Sequence, residues 1–544
     1  MKKLNLKWVS ETIGENYKNW KKGDVVKILA QTGTGKTHFI KNVLVPYMKL
    51  SERMLIVANR INLKRQLKKD LLLYYGKEIP EDLEILDKIS TIENVTILSY
   101  QQIAELKKGE KYKLNKLNLD NYRYIICDEC QFFFSDASFN NKCYFAWQEL
   151  VQVRHQNTIK IFISATMEEV EQTIDMAVDK IHEAECEKGN KCNVFKYSTN
   201  IDYSYLDTKY FRKIKDIATL IKNDTSNEKW LVFVSNKDDA GYIEEHLKGK
   251  KIVSVITKDT KIDKNKDLQS IITQSKFECD VLVCTKAMDN GINIEDDLVR
   301  NVVIMAWDKV SFIQELGRVR IDINNAATIN LYIPTRSWSS FNTRIKKQYE
   351  YREELLEFYS QERAKFNAKY DYDYYKLPKD MFILDKDNGW QINIIGHIRL
   401  SNDKAFATQM CKKFNKKGDS EATIFAYIKE QLKWIKQEHT FNASNLIEEV
   451  IDNEEVDTLR NYLEKHLNEK LFKEQQQELC NLITKELTTF GNDADFRTKI
   501  LKPSTLENIL RVELGLPYAV SKSKQETKGE MRNKRYIIIT KIEN

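Results

Sequence analysis

Two stretches of the 544-residue sequence combine residue types suited to holding and cleaving a phosphate chain. In VVKILAQTGTGKTHFI an apolar strand runs to Ala30, a glycine-bearing loop follows, and Gly35-Lys36-Thr37 opens a helix. Gly33 and Gly35 let backbone N–H groups of the loop Thr32, Gly33, Thr34 and Gly35 approach anionic oxygens, and the helix N-terminus adds partial positive charge. Lys36 is placed to reach the β/γ-phosphates, and the Thr37 hydroxyl to ligate Mg²⁺. The second stretch, YIICDECQ, delivers Asp128 and Glu129 at the C-terminal end of a buried strand, where open α/β sheets put their ligands. There Asp128 can hold Mg²⁺ through water, and Glu129 can orient and deprotonate an attacking water. ATP and Mg²⁺ are the expected cofactors.

These residues need a scaffold of parallel strands, and the pattern supplies one. Residues 1 to about 340 alternate β-branched or aromatic runs with helical stretches. The predicted strands are 25–30, 54–58, 95–98, 124–127, 160–164, 230–234, 251–256, 281–284, 301–305 and 328–333, too many for one compact unit. We therefore expect an α/β fold of two tandem parallel-sheet lobes, with a seam in 183–205. From Ser339 the apolar period becomes helical, and 403–437, 443–466 and 468–489 read as helices. PSTLENILRVELGL reads as a helix capped by Ser504 and ended by Gly515. A basic stretch and the strand-like RYIIITKI follow, in the order of a winged helix. The expected division is 1–197 and 198–340 for the lobes, 341–465 for a helical accessory domain, and 466–544 for a winged-helix-like basic domain.

AQTGTGKT, DECQ and the SAT of IFISATM stand in the order and rough spacing of superfamily 2 helicases of the DEAD/DEAH type, and the chain resembles them. LVFVSN, VLVCTKAMDNGINI and FIQELGRVR are similar to the family's motifs IV, V and VI, so the resemblance covers roughly residues 20 to 335. It implies that the two lobes are RecA-like, that Arg318 and Arg320 reach from the second lobe toward the γ-phosphate, that Gln314 touches that phosphate or the water, and that Gly291 borders the nucleotide. The family's second arginine stands seven residues after that glutamine, where this chain has Ile321, so Arg318 and Arg320 both remain candidates for the finger. Asn293 occupies the place of a frequent Asp. Ser164 and Thr166 are the implied coupling residues. Arg60, Tyr100 in ILSYQQ, and Thr285 are the implied contacts to strand phosphates, which position nucleic acid without reading its sequence. No adenine-reading glutamine stands before Lys36, which leaves Tyr17 and Trp20 as candidates to stack on a base.

Composition sets the outer bounds. Hydrophobic residues at 42% against 31% charged fit a globular chain of about three to four domains. No apolar run is long enough to span a bilayer, no signal-like segment follows the N-terminal lysines, and a cytoplasmic setting is expected. With 17 glycines and six prolines the chain is not a low-complexity polymer. The nine cysteines are read as reduced, and neither Cys127-x2-Cys130 nor His182-x3-Cys186-x5-Cys192 is read as a zinc site. The net charge of +7 is modest, but Lys522, Lys524, Lys528, Arg532, Lys534, Arg535 and Lys541 crowd the C-terminal end, a phosphate-binding footprint. YDYDYYKLP, at 370–378, is read as a half-buried interface rather than a base-stacking surface. The expected function is an ATP-dependent helicase or translocase, with DNA favoured over RNA, protein partners of a replication or defence complex, and no membrane. The alternatives are a DExH RNA helicase and an ATP-gated DNA-binding initiator or scaffold. Motif VI also looks like that of viral and phage origin-binding helicases.

Overall fold

The computed structural model describes residues 2–59, 61–108, 118–135, 142–186, 193–257, 259–285, 293–385, 389–414, 424–447, 458–489, 500–529 and 531–542. Its first sheet has seven strands: β1 (Val25–Leu29), β2 (Met54–Val57), β3 (Thr91–Ile92), β4 (Val95–Leu98), β5 (Tyr124–Asp128), β6 (Ile159–Ser164) and β7 (Val194–Ser198). Their spatial order is β3-β4-β2-β5-β6-β1-β7, parallel except at β3. Alternate residues face opposite sides, so Ile125, Cys127 and Phe162 join one apolar cluster while Tyr124, Ile126, Ile161 and Ile163 join another. A parallel sheet covered on both faces needs such continuous hydrophobic strands.

The second sheet has six parallel strands: β8 (Leu206–Phe211), β9 (Lys229–Phe233), β10 (Val253–Ile256), β11 (Val281–Cys284), β12 (Val299–Ile304) and β13 (Ile329–Pro334). Their order is β10-β11-β9-β12-β13-β8. The expected seam is therefore partly structured. β7 lies within it and pairs with β1 as the edge of the first sheet, and β8 starts directly after it. The short, half-exposed run of β7 carries little hydrophobic signal, which is why the sequence pattern passes over it.

Beyond Ser337 the chain is helical. The stretch of helical period that begins near Ser339 consists of Trp338–Arg344, a π-type turn over Ile345–Glu350, Tyr351–Gln361 and, after a break at Glu362, Arg363–Tyr370. A hairpin, β14 (Phe382–Asp385) with β15 (Gly389–Ile392), precedes helix Ile394–Phe414. Helix Ala426–Trp434 follows, and only short 3₁₀ turns, Glu438–Thr440 and Ala443–Asn445, stand where the 443–466 helix was expected to begin. Across 370–378, Tyr370 and Leu377 are buried, at 4% and 6% exposure, whereas Tyr372, Tyr374 and Tyr375 are exposed at 85%, 64% and 68%, so the burial lies toward the ends of the run rather than in alternation along it.

A separate apolar core extends from Leu459 to Ile539. It joins helices Thr458–Lys465, Lys473–Thr489 and Pro503–Asn508 to the antiparallel pair β16 (Tyr518–Val520) and β19 (Ile539–Lys541). Between these strands rises a second small pair, β17 (Lys524–Gln525) and β18 (Arg535–Tyr536), completing a winged-helix-like unit. Ser504 does not cap the preceding helix. Pro503 occupies its first turn and Lys502 is the cap residue, a start that fits proline's missing N–H. Glu507 instead accepts hydrogen bonds from the Val520 amide and Arg511. Among the described residues no helix is long and apolar enough to cross a membrane.

Candidate active site

The parallel register brings the C-terminal ends of β1, β5 and β6 to one edge of the first sheet: Leu29 pairs with Ser164 and Asp128 with Ile163. From β1 the chain enters the glycine loop. Gly33 and Gly35 have φ of +88° and +79°, where a side chain would be strained, and Gly35 caps helix Lys36–Phe39. The Thr34 hydroxyl donates to the Gln31 carbonyl at 2.7 Å, fixing the turn. Thr37, in the first turn, and Asp128, 7% exposed at the end of β5, offer the hard oxygen ligands that suit Mg²⁺, which takes its remaining ligands from water and phosphate.

Glu129 is held in an unusual conformation. Its φ of +51° costs a non-glycine residue about 1–2 kcal/mol. Two contacts secure it: the Lys36 Nζ donates to Oε1 at 2.6 Å, and the Gln131 Nε2 donates to Oε2 at 2.6 Å. The lysine of the loop and the carboxylate behind β5 thus converge on one point, although β6 lies between their strands. The flanking thiols take no part in the chemistry. Burial pushes Cys127 up to about 12 and Cys130 well above the ordinary thiol range, so both are neutral and packed among apolar side chains.

Ser164 and Thr166 are both buried, and the Thr166 amide donates to the Ser164 hydroxyl at 2.9 Å. Helix Glu168–Cys186 starts just beyond them. It is fixed to β1 by Lys27, whose buried ammonium meets Glu171 at 2.9 Å and also Asp175. The strand that feeds the glycine loop and the helix that follows Thr166 are therefore joined by charge.

The second lobe closes directly onto this edge. A Cβ built at Gly317 would stand 2.5 Å from the Thr32 Oγ1, and one at Gly33 would lie 3.9 Å from the Ile321 carbonyl oxygen. Lys309 reaches across to Glu168 at 2.5 Å. Arg320 is half-buried and lines the narrow gap with Gln31, Thr32 and Gly317, and its Nη2 donates to the Asn293 Oδ1 at 2.8 Å. Arg318 is buried at 1%, within the electrostatic reach of Cys284 together with Glu315. Gln314 is half-buried on helix Lys309–Leu316, whose N-cap is Asp308.

Other expected contacts land differently. Tyr100 is 1% exposed, its ring stacks on Phe132 at 4.9 Å, and its hydroxyl donates to the Asp128 carbonyl at 2.9 Å; it braces the end of β5 and has no face for a strand phosphate. Thr285 is half-buried just after β11. Tyr17 and Trp20 are core residues, each edge-on to Phe39, and cannot stack on a base. Trp8, passed over in the sequence, is the aromatic at the loop: its ring lies 3.0 Å from where a Gly35 Cβ would stand, and it is 36% exposed. Its segment is tied down at both ends, since Leu4 donates to the Ile323 carbonyl and Val9 to the Thr34 carbonyl. Arg60, Gly291 and Cys192 lie outside the described residues. Lys522, Lys524, Lys528, Arg532, Lys534 and Arg535 are all exposed on and around the β17–β18 hairpin, which is anchored by Lys470–Glu526 at 2.5 Å and by Phe472 packing on Tyr536.

Comparison with known proteins agrees with this geometry. Residues 5–169 match the family described as type III restriction enzyme, res subunit, and residues 212–322 match the helicase conserved C-terminal domain. One matched segment lies in each lobe, and together they mark the chain as an ATP-hydrolysing enzyme. No curated protein matches it. Similar solved structures include Saccharomyces cerevisiae Dbp5 bound to RNA and ADP BeF3, at 17% identity, covering 57% of this chain and 79% of that one, with a TM-score of 0.41. A DEAD box protein from Methanococcus jannaschii is 17% identical, over 60% of this chain and 85% of its own, with a TM-score of 0.34. The Escherichia coli DExH-box NTPase HrpB is 13% identical, over 61% of this chain but 42% of its own, with a TM-score of 0.39.

Proposed function

We propose that the chain is a motor that uses ATP to move along, and so separate, nucleic-acid strands. The observation that carries this reading is the seating of Gly317 and Arg320 of the second lobe against Thr32 of the first, which makes one cleft out of two rigid halves. In that cleft Lys36 neutralises phosphate charge and Glu129 takes the proton of the attacking water. Arg320, facing the gap, is the arginine finger, and Arg318 supports it from within the second lobe. Thr37 and Asp128 would hold a Mg²⁺ ion, which would supply positive charge against that developing on the phosphates. Glu129 then works only once Lys36 exchanges its carboxylate for phosphate, so the 2.6 Å pair keeps the base occupied until nucleotide enters.

The exposed lysines and arginines of the C-terminal hairpin supply a backbone grip beside the motor. That hairpin supports the DNA reading, with phage or mobile-element replication as a setting suggested by motif VI. RNA is the second reading: Dbp5, similar in fold, is described as bound to RNA, and a grip on phosphates serves either polymer. A strand-displacement assay with 3′-tailed, 5′-tailed and blunt duplexes of DNA and of RNA tests both. ATP-dependent release of a strand from a tailed duplex is expected, and the polymer released identifies the substrate. Binding and hydrolysis without release from any duplex would favour the initiator reading instead.

A further inference from the structure

Helix Ile394–Phe414, outside both lobes, enters the apolar cores of both. Near its start, Ile395 is fully buried in the first-lobe cluster that contains Phe132, Phe133, Phe134 and Trp147, and Ile398 packs against the same cluster. Further along, Leu400, Ala407, Met410 and Phe414 belong to the second-lobe cluster, where Phe406 and Phe414 lie 6.0 and 5.9 Å from the Phe341 ring. At 1.5 Å per residue this helix is a rod of about 30 Å. An open cavity of about 750 Å³ separates part of it from helix Glu168–Cys186, so the rod does not rest on the first lobe along its whole length.

Between the two anchored ends, Arg399 reaches back to the first lobe. Its Nη1 donates to the carbonyls of Phe134 and Ser135, both at 2.6 Å. These carbonyls belong to the short helix Phe132–Ser135. That helix follows directly on the Asp128-Glu129 pair. The Phe132 amide donates to the Glu129 carbonyl, those of Phe134 and Ser135 donate to the Gln131 carbonyl, and the Gln131 side chain holds the Glu129 carboxylate. One rigid turn therefore connects the guanidinium of Arg399 to the base. On its other side Arg399 pairs with Asp403 at 3.3 Å, and both share a cavity of about 410 Å³ with Asp308, the N-cap of the helix that carries Gln314. The Asp308 carboxylate accepts from the Ser311 amide and hydroxyl, each at 2.9 Å, and is thereby fixed to the second lobe.

We propose that Arg399 is a positioning residue for hydrolysis: it ties the turn bearing Glu129 and Gln131 to a helix seated in the second lobe, so that lobe movement and the aim of the base are linked. The inference rests on the reading of the chain as a strand-stimulated ATPase. The accessory helix thereby takes part in the reaction as well as in the fold.

The test compares the full chain with Arg399→Ala, Arg399→Gln and Arg399→Lys, measuring kcat and KM for ATP with and without poly(dT) or poly(U), together with thermal melting. For Arg399→Ala the expected result is a KM for ATP within about twofold of the parent, with strand-stimulated kcat falling about tenfold or more toward the unstimulated rate. Arg399→Lys, whose ammonium can donate to both carbonyls, should recover stimulation to within about threefold. Should Arg399→Ala not fold, Arg399→Gln, able to reach one carbonyl, is expected to lie between the other variants. Full stimulation in the Ala or Gln variant overturns the proposal. So does an equal loss of stimulated and unstimulated turnover that tracks a lower melting temperature. Absence of stimulation in the parent chain would instead contradict the motor reading.

Discussion

At the scale of single residues, the proposed chemistry rests on Lys36 and Glu129 meeting across an intervening strand. Lys36→Ala removes the cation that holds the terminal phosphates, and equilibrium nucleotide binding should weaken together with turnover. Glu129→Gln keeps the size of the side chain but cannot accept a proton. ATP binding should persist while kcat falls about 10²–10⁴-fold in a steady-state assay. Both residues were legible in the sequence, because a glycine loop between strand and helix, and a carboxylate pair behind an apolar strand, are local patterns. Tyr100 was not. Its place under Asp128 depends on β4 and β5 flanking β2, a pairing that no local pattern encodes. Trp8 escaped for the same reason: its neighbour Gly35 is brought to it by the hydrogen bond from Val9 to Thr34.

At the scale of elements, the contact between lobes depends on a missing side chain. A methyl group on Gly317 would stand 2.5 Å from the Thr32 Oγ1 and 3.0 Å from its Cβ, so either the Thr32 side chain or the lobe contact itself must shift. Gly317→Ala should therefore leave ATP affinity close to the parent value and lower kcat about tenfold to a hundredfold, since misplaced catalytic groups lose orientation. The C-terminal hairpin makes the second prediction at this scale. Neutralising Lys522, Lys524, Lys528, Arg532, Lys534 and Arg535 should weaken strand binding and flatten log Kd against log salt by about 0.9 for each lost contact to duplex DNA, or about 0.7 for single strands. An unchanged slope in fluorescence titrations would mark the hairpin as a solvated end. Most strands of both sheets were legible from their apolar runs, whereas β3, β7 and β8 were not. These elements are short or sit at sheet edges, where half-exposed residues dilute the pattern.

At the scale of the whole molecule, the four parts are held by polar as well as apolar contacts. The winged-helix-like unit meets the second lobe at Glu513, in a cavity shared with Arg212, Thr335, Arg336 and Trp338, and Lys213 pairs with Glu486 beside it. Burial pushes the Glu513 carboxyl up to about 7, against the opposing hydrogen bond of Ser339. Because the docked form holds the proton more tightly than the free unit would, docking is strongest below the ordinary carboxylate range of about 4.3 and weakens as pH rises to about 7, then levels. Hydrogen exchange along 503–516 should show this loss of protection with rising pH, and Glu513→Gln should remove it. The central claim is that residues of the second lobe complete chemistry begun in the first, and Arg320→Ala tests it most directly. Single-turnover hydrolysis with a saturating strand should show ATP still bound and the chemical step slowed about 10³-fold or more. An unaltered rate would mean that the two lobes do not share the reaction.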